Sequence, residues 1–440
     1  MAAGLPRPAG IAGPASEPGC QGPIGYTFAP DHSEFPAAKP MPNSAAIILK
    51  NGEDRRLRAG HLWVFSNEVD VAASPLTDLV AGQLANVIDA AGRTVGTALV
   101  NPHSLICARL ISRRADVVPS THWLLERLRA ALALRERLFD QPFYRMVFGE
   151  SDGLPGLIVD RFGGVLVAQA NTAGMDGLRA DIEQALEQLL QPEGVLWRND
   201  SVVRELEGLG RLIEPGPGAL PDRLTVIEGD LRFEVDLMSS QKTGWYFDQQ
   251  ANRQRVWPLL GGCERVADLY AYHGAWGLGA AALGAGQVEC VDSSLPAVNA
   301  IGANALANGL DGTVKATRQD AEQWLDAQLA AKARFDAVVV DPPAFAPRAR
   351  DVKPALAAYR RINEKALRLI RPGGLLVTCS CSAHVFEERF IDLVRQAGRH
   401  VDRDLQILMR LEQGPDHPVM PAIPLTRYLK GLVVRVLESF

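Results

Sequence analysis

RVADLYAYHGAWGLGAAALGAGQVECVD, residues 265–292, is the stretch on which the fold turns. A short apolar run ending at Tyr270 leads into a glycine-containing loop. An alanine-rich segment follows, then a second apolar run closing on Asp292. Strand, loop, helix and strand in that order make a βαβ unit. The same alternation continues through TVKATRQD, DAVVVD and LLVTCS, with amphipathic or alanine-rich segments between them. It predicts an α/β fold, a parallel sheet with helices on both faces. Two later runs, LQILMRL and GLVVRVL, have no helix between them and are expected to add an antiparallel hairpin at one edge.

Ligands of such sheets bind at the carboxyl ends of the strands, so residues there are the candidates for binding. The loop after the first strand, Ala271 to Gly279, lets a ligand approach backbone near Gly274, but its spacing is not the G-x-G-x-x-G of dinucleotide sites. Seven strands without that spacing fit a Rossmann-like methyltransferase domain better. Asp268 lies on the first strand and Asp292 ends the second, where an ionised carboxylate can accept both hydroxyls of a ribose. Asp320 ends the third, within reach of an adenine amino group. Asp292 and Asp320 could equally cap a helix, and the first loop could be a turn shaped by packing; three acids at successive strand ends carry more than any one alone.

The fourth strand ends in Asp341-Pro342-Pro343-Ala344-Phe345. Two prolines stop the strand and stiffen the turn. Asp341 is then placed to hydrogen-bond a flat amino group or ring nitrogen, and Phe345 offers a stacking face. This fits methyl transfer to an amino nitrogen or to a ring carbon. The fifth strand ends Thr378-Cys379-Ser380-Cys381-Ser382. Pyrimidine C5 is a poor nucleophile, and a thiolate adding to C6 makes it enamine-like, which is chemistry suited to cysteine. A cysteine at a strand end is also an ordinary small core residue. If the strand persists, alternation puts Cys379 and Cys381 on one side, and the choice between them stays open.

These residues carry a resemblance. LKNGEDRRLRAGHLWVFSNEV (49–69), QKTGWYFDQQANR (241–253), ADLYAYHGAWG (267–277), VVVDPPAF (338–345), LLVTCSCSAH (375–384) and DHPVMPAIPLTRYLKGLVVRV (416–436) resemble the bacterial 23S ribosomal RNA cytosine-5 methyltransferases. That family joins a PUA domain to a Rossmann-like class I methyltransferase domain that uses S-adenosylmethionine. The resemblance implies 45–117 as a PUA RNA-binding domain, 118–238 as a central α+β domain and 239–440 as the methyltransferase domain. It implies methylation of cytosine C5 in 23S ribosomal RNA through a cysteine adduct. S-adenosylmethionine would be the cofactor, enclosed by Tyr246, Asp248 and Gln249, with Asp268 and Gly274 in its loop, Asp292 at the ribose and Asp320 at the adenine. It puts Cys379 ahead of Cys381 as nucleophile, places Pro342 and Phe345 against the base, and suggests a homodimer. The loop departs from the usual Tyr-Thr-Gly-Gly-Phe, with His273 for threonine and Ala275 for glycine. The alternatives are an exocyclic-nitrogen RNA methyltransferase and a non-catalytic RNA-binding assembly factor.

The remaining sequence bounds this reading. At ~150 residues per domain, 440 residues suggest about three domains. A net charge of -5 excludes a globally cationic nucleic-acid binder, so RNA contacts must be local. Arg55, Arg56, Arg58 and His61 form one basic cluster, beside a Trp63 expected in the core; Arg348, Arg350 and Lys353 form another after the double proline. His384 and His417 are expected to be structural. Between these regions, THWLLERLRAALALRERLF and a segment from Met175 to Leu190 read as amphipathic helices. GLIVDRF and VLVAQA read as paired strands, and TVIEGDLRFEVDL as a hairpin. The six cysteines show no disulfide framework and no C-x-x-C pair, so no metal site is expected and the protein reads as cytoplasmic. No apolar run approaches the ~20 residues of a membrane span. Residues 1–42 hold nine of the 29 prolines and read as a disordered tail. Met41, just before the first structured pattern, is a candidate translation start.

Overall fold

The computed structural model describes residues 45–238, 240 and 243–439; the expectations for the tail and for Met41 lie outside them. The first sheet has five short strands in the order Ala45–Ile48, Leu84–Ile88, Thr94–Val100, Ile106–Ser112, Trp63–Phe65. Its first pair is parallel and the rest antiparallel. Ile47, Leu57, Val64, Val87 and Leu110 fill its core. Trp63, expected in that core, is only half-buried, and its indole N–H donates at 2.8 Å to Glu150, in the turn Gly149–Asp152.

The second sheet runs Leu212–Gly218, Gly194–Asn199, Val165–Ala170, Leu157–Phe162, Phe143–Phe148. Helix Thr121–Leu138 packs beside helix Arg179–Leu190, and both share a core with this sheet. The helix expected from Met175 to Leu190 is two pieces, Ala173–Gly177 and Arg179–Leu190. The first closes where Leu178 N–H turns back to the Met175 carbonyl, leaving the i→i−4 pattern. Hairpin Leu224–Glu228 and Leu231–Val235 follows, and its Val226, Phe233 and Val235 share a core with the third sheet.

The third sheet has seven strands: β1 Arg265–Leu269, β2 Gln287–Asp292, β3 Val314–Arg318, β4 Phe335–Val340, β5 Ile370–Ser380, β6 Arg403–Glu412 and β7 Lys430–Glu438. Their spatial order is β3-β2-β1-β4-β5-β7-β6. β1 to β5 are parallel, and β7 and β6 add the antiparallel edge. The helices are α1 Gln250–Leu260, α2 Ala275–Ala282, α3 Leu295–Ala307, α4 Ala321–Ala330, α5 Val352–Leu369 and α6 Glu387–His400. Period-two alternation divides the sheet between two apolar layers. Val266, Ala337, Val339 and Val377 meet the layer that holds α1 and α2; Ala267, Val338, Val340 and Leu376 meet the layer of α5 and α6. α1 and α2 approach so closely that a Cβ at Gly279 would lie 2.0 Å from the Trp257 ring, so only glycine fits there. The strand order reverses between β1 and β4, and a crevice opens at their carboxyl ends. Among the described residues no helix is long and apolar enough to cross a membrane.

Candidate functional site

β1 leaves the sheet through a strained loop. Tyr270, Tyr272 and Gly274 all have positive φ, at 62°, 53° and 78°. Two tyrosines in that region cost free energy that the surroundings must hold in place. Tyr272 N–H donates to Asp292 Oδ2 at 3.0 Å, its hydroxyl donates to the Gly244 carbonyl at 3.2 Å, and Gly274 N–H donates to the Ala271 carbonyl at 2.7 Å. Gly274 itself shapes the loop from behind, since a Cβ there would meet Leu278 at 2.6 Å.

This loop forms one wall of a cavity of about 350 Å³, within the size range of small-molecule sites. Tyr246, Asp248, Gln249, Asp292, Asp341, Pro342 and Cys381, all singled out from sequence, meet there. Asp341 accepts from Gln249 Nε2 at 3.0 and 3.1 Å and from the Trp276 indole N–H at 3.0 Å. Burial pushes its carboxyl up to about 6, against the opposing pull of the Trp276 bond and with Asp248 nearby adding to the rise. The Tyr428 hydroxyl donates to Asp248 Oδ2 at 2.6 Å. Asp292 also accepts from Ser294 N–H at 2.9 Å, but a carboxylate has about four acceptor sites, so capacity remains for hydroxyls of a ligand.

Several expected residues stand elsewhere. Cys379 is fully buried in the core layer of α1 and α2, where burial drives its thiol well above the ordinary value. The reason lies in the register: Cys379 pairs with Gly431 on β7, and only the missing Cβ of that glycine leaves room for the sulfur. β5 ends at Ser380, so alternation does not extend to Cys381. That residue turns into the cavity with its Sγ 3.8 Å from the Pro342 carbonyl. Phe345 gives no stacking face to the cavity; its ring packs on Tyr359, 4.7 Å between centroids. Asp320 caps α4 through Gln323 N–H at 3.1 Å and lies outside the cavity lining.

Asp268 also lies behind the lining, wholly buried, with Oδ2 accepting Gly277 N–H at 3.0 Å. Among the described residues Oδ1 has no hydrogen-bond partner. Burial raises its carboxyl to about 7, with the Gly277 bond opposing. A folded-state value above the unfolded 3.8 means stability that is present below pH 4 and lost as pH rises through 7. Asp268→Asn keeps the acceptor for Gly277 and removes the charge. Its melting temperature should therefore exceed the wild type's at pH 8, by roughly 1–3 kcal/mol of stability, and converge with it near pH 4. Parallel melting curves across that range check this; an equal deficit at both ends would contradict it.

The basic clusters separate as well. Arg56 is bound to Glu68 at 2.6 and 2.8 Å, and Arg58 to Asp54 at 2.6 Å and Asp89 at 2.9 Å, so both brace the first sheet. His61 is buried against Arg56, which with the burial pulls its imidazole down to about 4. Arg55 and Arg348 are exposed and make no ion pair among the described residues. His417 is buried and bonded to Asp416 through Nδ1 at 2.8 Å. Trp245, Arg253, Trp276 and Tyr428 line the cavity without having been singled out as site residues. All four lie in motifs already quoted, but their partners are set by tertiary packing.

Comparison with known proteins places the domains in known families. The PUA-like domain family matches residues 47–113, and the S-adenosylmethionine-dependent methyltransferase family matches 216–435. Curated relatives named ribosomal RNA large subunit methyltransferase I include proteins of Erwinia tasmaniensis (33% identical, covering 89% of this chain and 99% of that protein) and Alteromonas mediterranea (34%, 90% and 100%). Two solved structures, one of a methyltransferase complexed with SAH and one of a SAM-dependent methyltransferase from Streptococcus mutans, share the fold with TM-scores of 0.76 and 0.75. Each is 18% identical and covers 88% of this chain and 99% of its own. An N-terminal PUA-like sheet, a Rossmann-like sheet with its cavity at the strand reversal, and relatives of this identity over nearly their whole length lead to one conclusion: the chain belongs to the S-adenosylmethionine-dependent methyltransferase family of ribosomal RNA large subunit methyltransferase I.

Proposed function

We propose that this protein methylates C5 of a cytosine in 23S ribosomal RNA, with Cys381 as the attacking nucleophile. The observation that carries the reading is that Cys381 and Asp341 line one cavity, with the Cys381 sulfur against the Pro342 carbonyl of the Asp-Pro-Pro turn.

The cavity fits S-adenosylmethionine in size and in donor set. Asp292 has spare acceptor capacity for a ribose, and Tyr246, Asp248 and Gln249 form the facing wall. His273, in the same lining, offers a buried Nδ1 with no partner among the described residues. Bound there, the cofactor supplies an electrophilic methyl group on a sulfonium centre. The chain's own residues do the rest. The Cys381 thiolate adds to C6 of the base, forming a C–S bond and moving the C5–C6 π pair towards the carbonyl and ring nitrogen. In this reading the carbonyl and ring-nitrogen end of the base points to Asp341, which lines the same cavity. Ionised, it accepts from the exocyclic amine; protonated, it donates to ring N3. A carboxyl held near 6 makes both forms accessible around neutrality. C5, now enamine-like, would take the methyl group as its bond to the sulfonium breaks and leaves the electron pair on sulfur. Loss of the C5 proton to a base then restores the double bond and expels the thiolate.

Methylation of an exocyclic nitrogen needs no thiolate, and Cys381 in the same cavity as Asp341 is the feature that favours C5. Nucleoside mass analysis decides between the two. Ribosomal RNA lacking the modification, incubated with the protein and methyl-labelled S-adenosylmethionine and then digested, should yield labelled 5-methylcytidine. Labelled N4-methylcytidine, or label in no cytidine, would overturn the proposal.

A further inference from the structure

Two of the loops that bring residues to the cavity continue into neighbouring helices: the Asp-Pro-Pro segment into α5 and the Cys381 segment into α6. β4 and β5 are parallel, so the two helices start at the same end of the sheet, beside the cavity. Between them runs a surface groove of about 300 Å³. Its α5 side presents Lys353, Leu356 and Arg360; its α6 side presents Arg389, Leu393 and Gln396. The spacing of three to four residues puts each set on one helix face.

The groove is basic. Lys353 and Arg389 are exposed and make no ion pair among the described residues. Arg360 is exposed, with Glu364 at 3.5 Å. The acid of the lining, Asp392, is already held by Arg395 at 2.7 Å and Gln396 at 2.7 Å. Arg348 and Arg350 lie exposed on the segment that leads from the cavity to the groove. One turn before Arg389, Phe386 is 59% exposed, the one aromatic among the strongly exposed large apolar side chains of the described residues. An exposed ring beside unpaired cations, on an otherwise acidic chain, is the combination that single-stranded nucleic acid uses: cations for phosphates and a π face for a base.

We infer that the α5–α6 groove seats the single-stranded RNA flanking the target nucleotide, with Lys353, Arg360 and Arg389 on phosphates and Phe386 stacked on a neighbouring base. The inference rests on the RNA substrate proposed above. It makes the methyltransferase domain itself a reader of RNA, additional to the PUA-like sheet.

The test uses the full chain and unmodified 23S ribosomal RNA, with filter binding and methyl transfer measured across a salt series. Lys353→Gln/Arg389→Gln should weaken RNA binding and raise KM about tenfold or more. It should also flatten the slope of log affinity against log salt by about 1.4, at ~0.7 per phosphate contact on a single strand. Phe386→Ala should raise KM by a similar factor with the salt slope unchanged. In all variants SAH affinity by calorimetry and kcat should match the wild type, which also reports that they fold. RNA affinity and salt slope unaltered in the charge variant, with KM unaltered in Phe386→Ala, would overturn the inference and point to a protein ligand for this face. A wild type that binds RNA through the groove yet transfers no methyl group to cytidine would instead overturn the proposed reaction and leave the groove standing.

Discussion

Cys381→Ala should abolish methyl transfer, by at least ~10³-fold in single-turnover rate, equivalent to about 4 kcal/mol of barrier. Cys379→Ala should leave that rate within a few-fold of the wild type. The contrast follows from position. Without C6 addition, C5 of cytosine has no enamine character, and no side chain of the cavity can substitute for the thiolate. Cys381 faces the cavity and can meet a base held by Asp341. Cys379 lies under the floor, with no exposed surface and with burial disfavouring its thiolate. Its removal should instead appear in stability, as the loss of a small buried side chain costing about 1–2 kcal/mol. Methyl-labelled cofactor with chemical quench gives the rates, and urea melts give the stabilities. Full activity in Cys381→Ala would sink the thiolate mechanism at that residue; loss only in Cys379→Ala would move it one turn of the pleat inward.

The ambiguity between the two cysteines shows where sequence ceases to be informative. Strand and helix alternation from β1 to β5, the antiparallel edge formed by β6 and β7 and the hairpin at 224–235 are local patterns, and they stand in the structure as read. Asp292 and Asp341 reach the cavity because strand ends of a parallel sheet converge there whatever their side chains, and Gln249 reaches it from the turn that precedes α1. Which cysteine faces the cavity depends on β5 stopping at Ser380 and on Gly431 lying opposite Cys379, from a strand some fifty residues later. Phe345 looked free to stack because its partner Tyr359 comes from the next helix. Arg56 looked free for phosphate because Glu68 comes from a later turn, and Arg58 because Asp89 comes from another strand, although its neighbour Asp54 one helical turn back was legible. Long side chains with one charge or one ring take the role their tertiary neighbours leave them, and single-sequence periodicity carries no information about those neighbours.

The same logic governs the strongest stability prediction. Glu228, at the end of a hairpin strand, has no exposed surface and accepts Arg253 Nε and Nη2 at 2.6 Å each, in a two-pronged pair. Its Oε2 also accepts the Trp245 indole N–H at 3.2 Å. Arg253 Nη2 donates further to the Tyr246 carbonyl at 3.0 Å. Trp245, Tyr246 and Arg253 all line the cavity, so one carboxylate holds three of its residues. Glu228→Ala strands a guanidinium that is 3% exposed, and should cost about 3–5 kcal/mol in urea unfolding. It should also weaken SAH binding at temperatures where the variant is still folded, because the Trp245 and Tyr246 wall loses its anchor. A merely structural pair would move stability alone, so calorimetry on the folded variant separates the two roles. The double change Glu228→Leu/Arg253→Met removes both charges together and should regain most of the lost stability without regaining cofactor affinity, since the wall stays unanchored. Stability within 1 kcal/mol of the wild type for Glu228→Ala alone would show that the pair's desolvation cancels its attraction. Full SAH affinity in the stable double variant would show that the wall is held by its apolar packing, with Trp245 seated against Phe233 at 4.8 Å, rather than by the buried ions.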